Sequence, residues 1–109
     1  MDTDFIARLR TQLGGPRDGA LLRFSLGNAL FSQGDATGAA VAFREAVAFD
    51  ANYSAAWKML GRALADGGDS AAAALAFEHG IAVARQRGDQ QAEKEMVVFL
   101  RRLRKPDSL

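Results

Sequence analysis

The chain has 109 residues and a mass of 11.7 kDa, one domain by size, and its 49% hydrophobic and 25% charged residues exclude disorder as the main state. Fourteen basic against thirteen acidic residues leave a formal charge of +1, so the overall charge gives no argument for a nucleic-acid partner. The lack of cysteine excludes disulfides and thiolate chemistry, the single histidine excludes a Cys/His zinc site, and no apolar run approaches the ~20 residues that span a bilayer.

Alanine fills 22 positions while Val, Ile and Thr together fill ten, which predicts an all-α fold of closely packed helices. Six antiparallel helices are expected in chain order. The first covers 3–13, with Phe5, Ile6, Leu9 and Leu13 on one face and Gly14-Gly15-Pro16 behind them. The acidic start before it is unlike a secretory signal, so the expected location is cytoplasmic, in soluble form. The second helix spans about 18–33, with Leu22, Leu26 and Leu30 at helical spacing, and the third 36–49. Asp50-Ala51-Asn52 offers caps for a fourth over 53–66. The fifth, 70–87, carries Leu75, Ala76 and Val83 in its apolar pattern. The last, 89–104, has Ala92, Met96, Phe99, Leu100 and Leu103 on one face and Pro106 to stop it. Gly34-Asp35, Gly68-Asp69 and Gly88-Asp89 each place glycine where a helix ends left-handed and aspartate where the next needs a cap.

A shift of 34 aligns residues 20–53 with 54–87 at eleven identities, among them Leu26/Leu60, Gly27/Gly61, Gly34/Gly68, Asp35/Asp69 and Phe43/Phe77. On the same frame Phe5 and Leu9 fall where Ala39 and Phe43 fall, so the first helix stands in for the second helix of a preceding unit. The last helix likewise takes the place of a first helix. The expected division is a single domain with an N-terminal cap at 1–16, repeats at 20–53 and 54–87, and a C-terminal cap at 88–105, because stacked repeats cannot leave their end faces bare. Gly27 and Gly61 lie inside helices, where each costs roughly 1 kcal/mol relative to alanine, so they mark places where a neighbouring helix comes too close for a side chain.

The motifs of chemistry are missing. There is no G-x-x-x-x-G-K-S/T, no G-x-G-x-x-G and no G-x-S-x-G around Ser25, Ser32, Ser54, Ser70 or Ser108, so neither an enzyme nor a cofactor is expected. His79, matching Glu45 on the frame, reads as a solvated residue of the outer surface, and Glu93-Lys94-Glu95 as a solvated face. Arg101, Arg102, Arg104 and Lys105 read first as cations at a helix C-terminus, where unpaired carbonyls favour them; nucleic-acid or anionic-surface binding is their weaker reading.

The second unit reads Trp57-x2-Leu60-Gly61-x2-Leu64, then Ala73-x3-Phe77; the first reads Arg23-x2-Leu26-Gly27-x2-Leu30, then Ala39-x3-Phe43. These resemble the tetratricopeptide repeat, W-x2-L-G-x2-Y, A-x3-F, then P. Departures are Arg23 for the tryptophan, leucine for tyrosine in both units, and Ala51 and Arg85 for the proline. The resemblance implies a non-catalytic adaptor whose first helices line a concave groove for a peptide or partner protein. By that resemblance the groove stripe is Leu21, Phe24, Asn28 and Phe31, then Ala55, Lys58, Arg62 and Ala65, with Met96 and Phe99 added from the last helix unless capping contacts take them up. Some family members clamp a terminal carboxylate with a lysine–asparagine pair; Asn28 is kept here, but Phe24 stands in the lysine position. Lys58 and Arg62, one turn apart, read equally as solubility charge on an exposed helix or as a pair for a ligand with an acidic or C-terminal carboxylate group. A monomer is expected, the alternative being a self-associating or complex-subunit module that uses the terminal helices.

Overall fold

The computed structural model describes residues 3–105 as six helices: α1 Thr3–Arg10, α2 Ala20–Ser32, α3 Ala36–Phe49, α4 Ser54–Asp66, α5 Ser70–Arg87 and α6 Gln90–Arg104. No strand occurs among the described residues, and none of their helices is long and apolar enough to cross a membrane. Pro106 and Ser108 lie outside the described residues.

Local chemistry sets the turns. Gly68 has φ +86°, which puts the chain into the left-handed region, and the Asp69 amide then donates to the Leu64 carbonyl at 2.9 Å. The Asp69 carboxylate caps α5 through the Ala72 amide at 3.1 Å. The other two Gly-Asp pairs repeat this: Asp35 caps α3 through Gly38, and Asp89 caps α6 through Ala92. Two helix starts differ from expectation. Asp50, expected as a cap for α4, instead accepts from the Asn52 amide at 3.0 Å, and α4 begins at Ser54. The second helix begins at Ala20 rather than 18, because Asp18 serves the loop before it. Its carboxylate accepts from the Gly14 and Gly19 amides and from Arg23 at 2.6–2.8 Å, and Arg23 also reaches Glu45 of α3 at 2.9 Å.

The core is assembled from aromatic rings on bare backbone. Phe43 and Phe77 are essentially fully buried. A Cβ built on Gly27 would lie 2.6 Å from a Phe43 ring carbon, and one on Gly61 would lie equally inside contact distance of Phe77. Leu26, Leu30 and Leu60 are buried around these contacts with Ala29, Ala39, Ala46, Ala56, Ala63 and Ala73. Leu75, expected in the apolar pattern of α5, is 65% exposed, as is much of its counterpart Val41; the stripe on these helices is carried by Ala40, Phe43 and Val47, and by Ala73, Phe77 and Ile81. On α1 the buried residue is Ile6, with Phe5 and Leu9 half-buried beside it.

Residues at matching places of the two units solve one packing problem in two ways. Trp57 lies parallel to His79, ring centroids 4.7 Å apart, and donates its indole N–H to the Ala51 carbonyl at 2.8 Å. His79 is therefore exposed but stacked. In the first unit Arg23 and Glu45 take those two places as an ion pair.

The frame slips by two residues at the last hairpin. Asp50 ends α3, but its counterpart is Ala84, a helix former, so α5 runs 18 residues against 14 and stops at Gly88. A spacing of 36 therefore relates α6 to α4, and Ala92, Met96 and Leu100 take the places of Ala56, Leu60 and Leu64. Met96, expected in the groove stripe at the Arg62 position, is fully buried, its sulfur close against Gly80. Val97 stands where Gly27 and Gly61 stand.

Two outcomes follow for stability. Leucine is the better helix former, yet Gly61→Leu should destabilise by about 1–3 kcal/mol or more, because Phe77 has nowhere to go; urea denaturation measures this. Asp18 is held far below the ordinary aspartate value, first by the Arg23 hydrogen bond and then by the Gly14 amide. Its contribution is complete above the ordinary value of 3.8 and drains away as pH falls below it. Melting curves from pH 5 downward should show that loss for the parent and a shallower decline for Asp18→Asn.

Candidate functional site

α2, α4 and α6 lie side by side, and one arginine joins all three. The Arg62 guanidinium lies over the Phe31 ring of α2 and the Phe99 ring of α6, 5.4 and 5.5 Å from their centroids. Its amine end also meets the Met59 sulfur at 3.8 Å. One turn earlier, Lys58 Nζ is 3.0 Å from the Glu95 carboxylate of α6. Glu95 and Phe99 are themselves one turn apart, so α6 offers Lys58 and Arg62 a carboxylate and an apolar group in register. Of the expected solvated run Glu93-Lys94-Glu95 on α6, both carboxylates are thus engaged, since Glu93 also binds Arg85 at 2.6 Å.

The remaining stripe residues divide by exposure. Leu21 is 70% exposed at the start of α2. Phe24 is drawn into packing, with Phe43 at 5.7 Å and Tyr53 at 4.8 Å between centroids, and burial raises the Tyr53 hydroxyl above its ordinary value. Asn28 is half-buried with its side-chain amide within reach of solvent. Ala55 and Ala65 are half-buried. Phe99 stacks on Phe77 at 5.6 Å, and beside it Arg62, Asp66, Arg102 and Leu103 border a cleft of about 350 Å³ between α4 and α6. Sequence reasoning placed Phe99 of α6 in the stripe but missed this cleft and the pairing of Glu95 with Lys58, because both depend on the two-residue slip. At the other end of α4 the buried Ser54 hydroxyl donates to Asp89 at 2.8 Å, which with the Ala92 amide lowers the Asp89 carboxyl below its ordinary value. Among the described residues no three His, Asp or Glu side chains converge as a metal site would need.

A curated protein of Pseudomonas aeruginosa named as a TPR repeat-containing protein is 49% identical over 98 residues, covering 90% of this chain and 93% of that protein. The chain belongs to the tetratricopeptide-repeat family. A solution structure of a Bordetella parapertussis protein superposes with a TM-score of 0.79 at 45% identity, covering 94% of this chain and 89% of that one. No family model matches the chain. Membership fits the glycine–phenylalanine contacts, since Gly27 and Gly61 are the glycines of the tetratricopeptide pattern and Phe43 and Phe77 its phenylalanines.

The position of Arg62 gives a measurable consequence. Arg62→Ala removes two cation–π contacts and should cost about 1–2 kcal/mol, whereas Glu95→Gln, at a part-exposed pair, should cost less than about 1 kcal/mol. Paired urea titrations would show the order reversed if the Lys58–Glu95 pair were the stronger tie.

Proposed function

We propose that the protein is a non-catalytic adaptor that binds a peptide or partner protein along the face formed by α2, α4 and α6, with Leu21, Phe24, Asn28, Phe31, Lys58 and Arg62 as the contact stripe. The observation that carries this reading is Leu21, an apolar side chain left mostly in solvent on the same helix as the open Asn28 amide. Apolar area beside a hydrogen-bonding group is what an extended or helical peptide needs. The Lys58 and Arg62 roles take a modified form. Lys58 reaches a ligand carboxylate by exchanging it for Glu95, and Arg62 presents its outer edge while Phe31 and Phe99 hold its faces.

The same reading divides the chain into repeats at 20–53 and 54–87 with caps at 1–16 and 88–105. Its support is the set of 34-residue identities between the two units and the glycine–phenylalanine contact that each contains. The state that goes with this reading is a monomer in the cytoplasm, over self-association through the terminal helices. Affinity for a short peptide is expected in the micromolar range, because a two-unit groove is small.

Chemical-shift mapping of a captured partner peptide tests this. Amides of Leu21, Asn28 and Phe31 should shift, and Leu21→Asp should weaken binding by about tenfold while leaving the fold intact. Shifts centred on Glu45 and His79 would move the site to α3 and α5 and end the groove reading.

A further inference from the structure

From Gln90 to Lys105 the chain carries two carboxylates and five cations. Both carboxylates are engaged within the protein, Glu93 by Arg85 and Glu95 by Lys58. Arg104 pairs with Glu78, whereas Lys94, Arg101, Arg102 and Lys105 are exposed and have no ion pair among the described residues. Cations brought in from α4 and α5 thus cancel the acids of α6 and leave its C-terminal half strongly positive, on a protein whose formal charge is only +1.

Helix-end electrostatics accounts for cations in a last turn. It does not account for the apolar surface among them. Arg102 stands between the cleft of about 350 Å³ toward α4, floored by Phe77, Phe99 and Leu103, and the 39%-exposed Val98 one turn earlier on α6.

The geometry points to the C-terminal half of α6 as a docking surface for an acidic amphipathic segment of a partner protein, its carboxylates on Arg101, Arg102 and Lys105 and its apolar side chains on Val98 and in the cleft toward α4. This deepens the adaptor reading and rests on it. Charge complementarity selects an acidic partner, and the apolar surface selects a polypeptide over a polyphosphate. A nucleic-acid backbone would neutralise the cations but leave Val98 and Leu103 uncovered, and Phe99, already stacked on Phe77, is no free platform for a base.

Fluorescence anisotropy with three labelled probes tests it: a short peptide of Glu, Ala and Leu with leucines one helical turn apart, an all-glutamate peptide of the same length, and single-stranded oligothymidine. The Leu-containing peptide should bind about tenfold or more tightly than the all-glutamate one. Arg101→Glu/Arg102→Glu should weaken it by about tenfold or more, and Val98→Asp should weaken it with little change in salt dependence. Equal binding of oligothymidine, equal binding of the all-glutamate peptide, or indifference to both variants overturns the proposal. Leu21→Asp separates the two readings. If it weakens the captured partner of the groove while the Arg101/Arg102 variant does not, the adaptor stands and this surface falls.

Discussion

A phenylalanine ring lying against a helix that has no side chain at that point is the contact on which the molecule depends. The α2–α3 and α4–α5 hairpins each have one, Phe43 on Gly27 and Phe77 on Gly61, and each lets two helices approach at a spacing that alanines then fill. The glycine weakens its own helix, and the ring more than offsets that through buried apolar area. Because the contact fixes the separation within a hairpin, it also fixes where α2, α4 and α6 stand relative to one another, and hence the distance at which Arg62 can touch Phe31 and Phe99 together.

Charge pairing takes over where the aromatic solution is not used. In the first unit the tryptophan position holds Arg23, and the cost of bringing a guanidinium into a largely covered place is met by Asp18, Glu45 and the face of Phe49. The Asp18 carboxylate in turn ties down the loop after α1 through two backbone amides. A helix of only eight residues is thereby held to the stack by its Ile6 contact and by an ion network one loop away.

The helices and turns were legible because their determinants are local. A Gly-Asp pair carries its own dihedral and its own cap, and the 34-residue identities report which residues share an environment. The register of α6 was not legible from that frame. Its cause is the stretch after Val83, where Ala84-Arg85-Gln86-Arg87 replaces Asp50-Ala51-Asn52-Tyr53 of the first unit and lets α5 run on until Gly88. Helix propensity alone does not say which of two permissible stops a chain will use. The pairing of Lys58 with Glu95 and the burial of Met96 follow from that stop. Exposure on the outer helices was hidden for another reason: with alanine doing most of the packing, larger residues such as Val41 and Leu75 are not needed inside.

Val97 occupies the place where each preceding first helix has the glycine of the ring contact, and a branched side chain there leaves no seat for another phenylalanine. A helix packed on α6 as α3 packs on α2 would therefore have to bring a residue smaller than phenylalanine to this position.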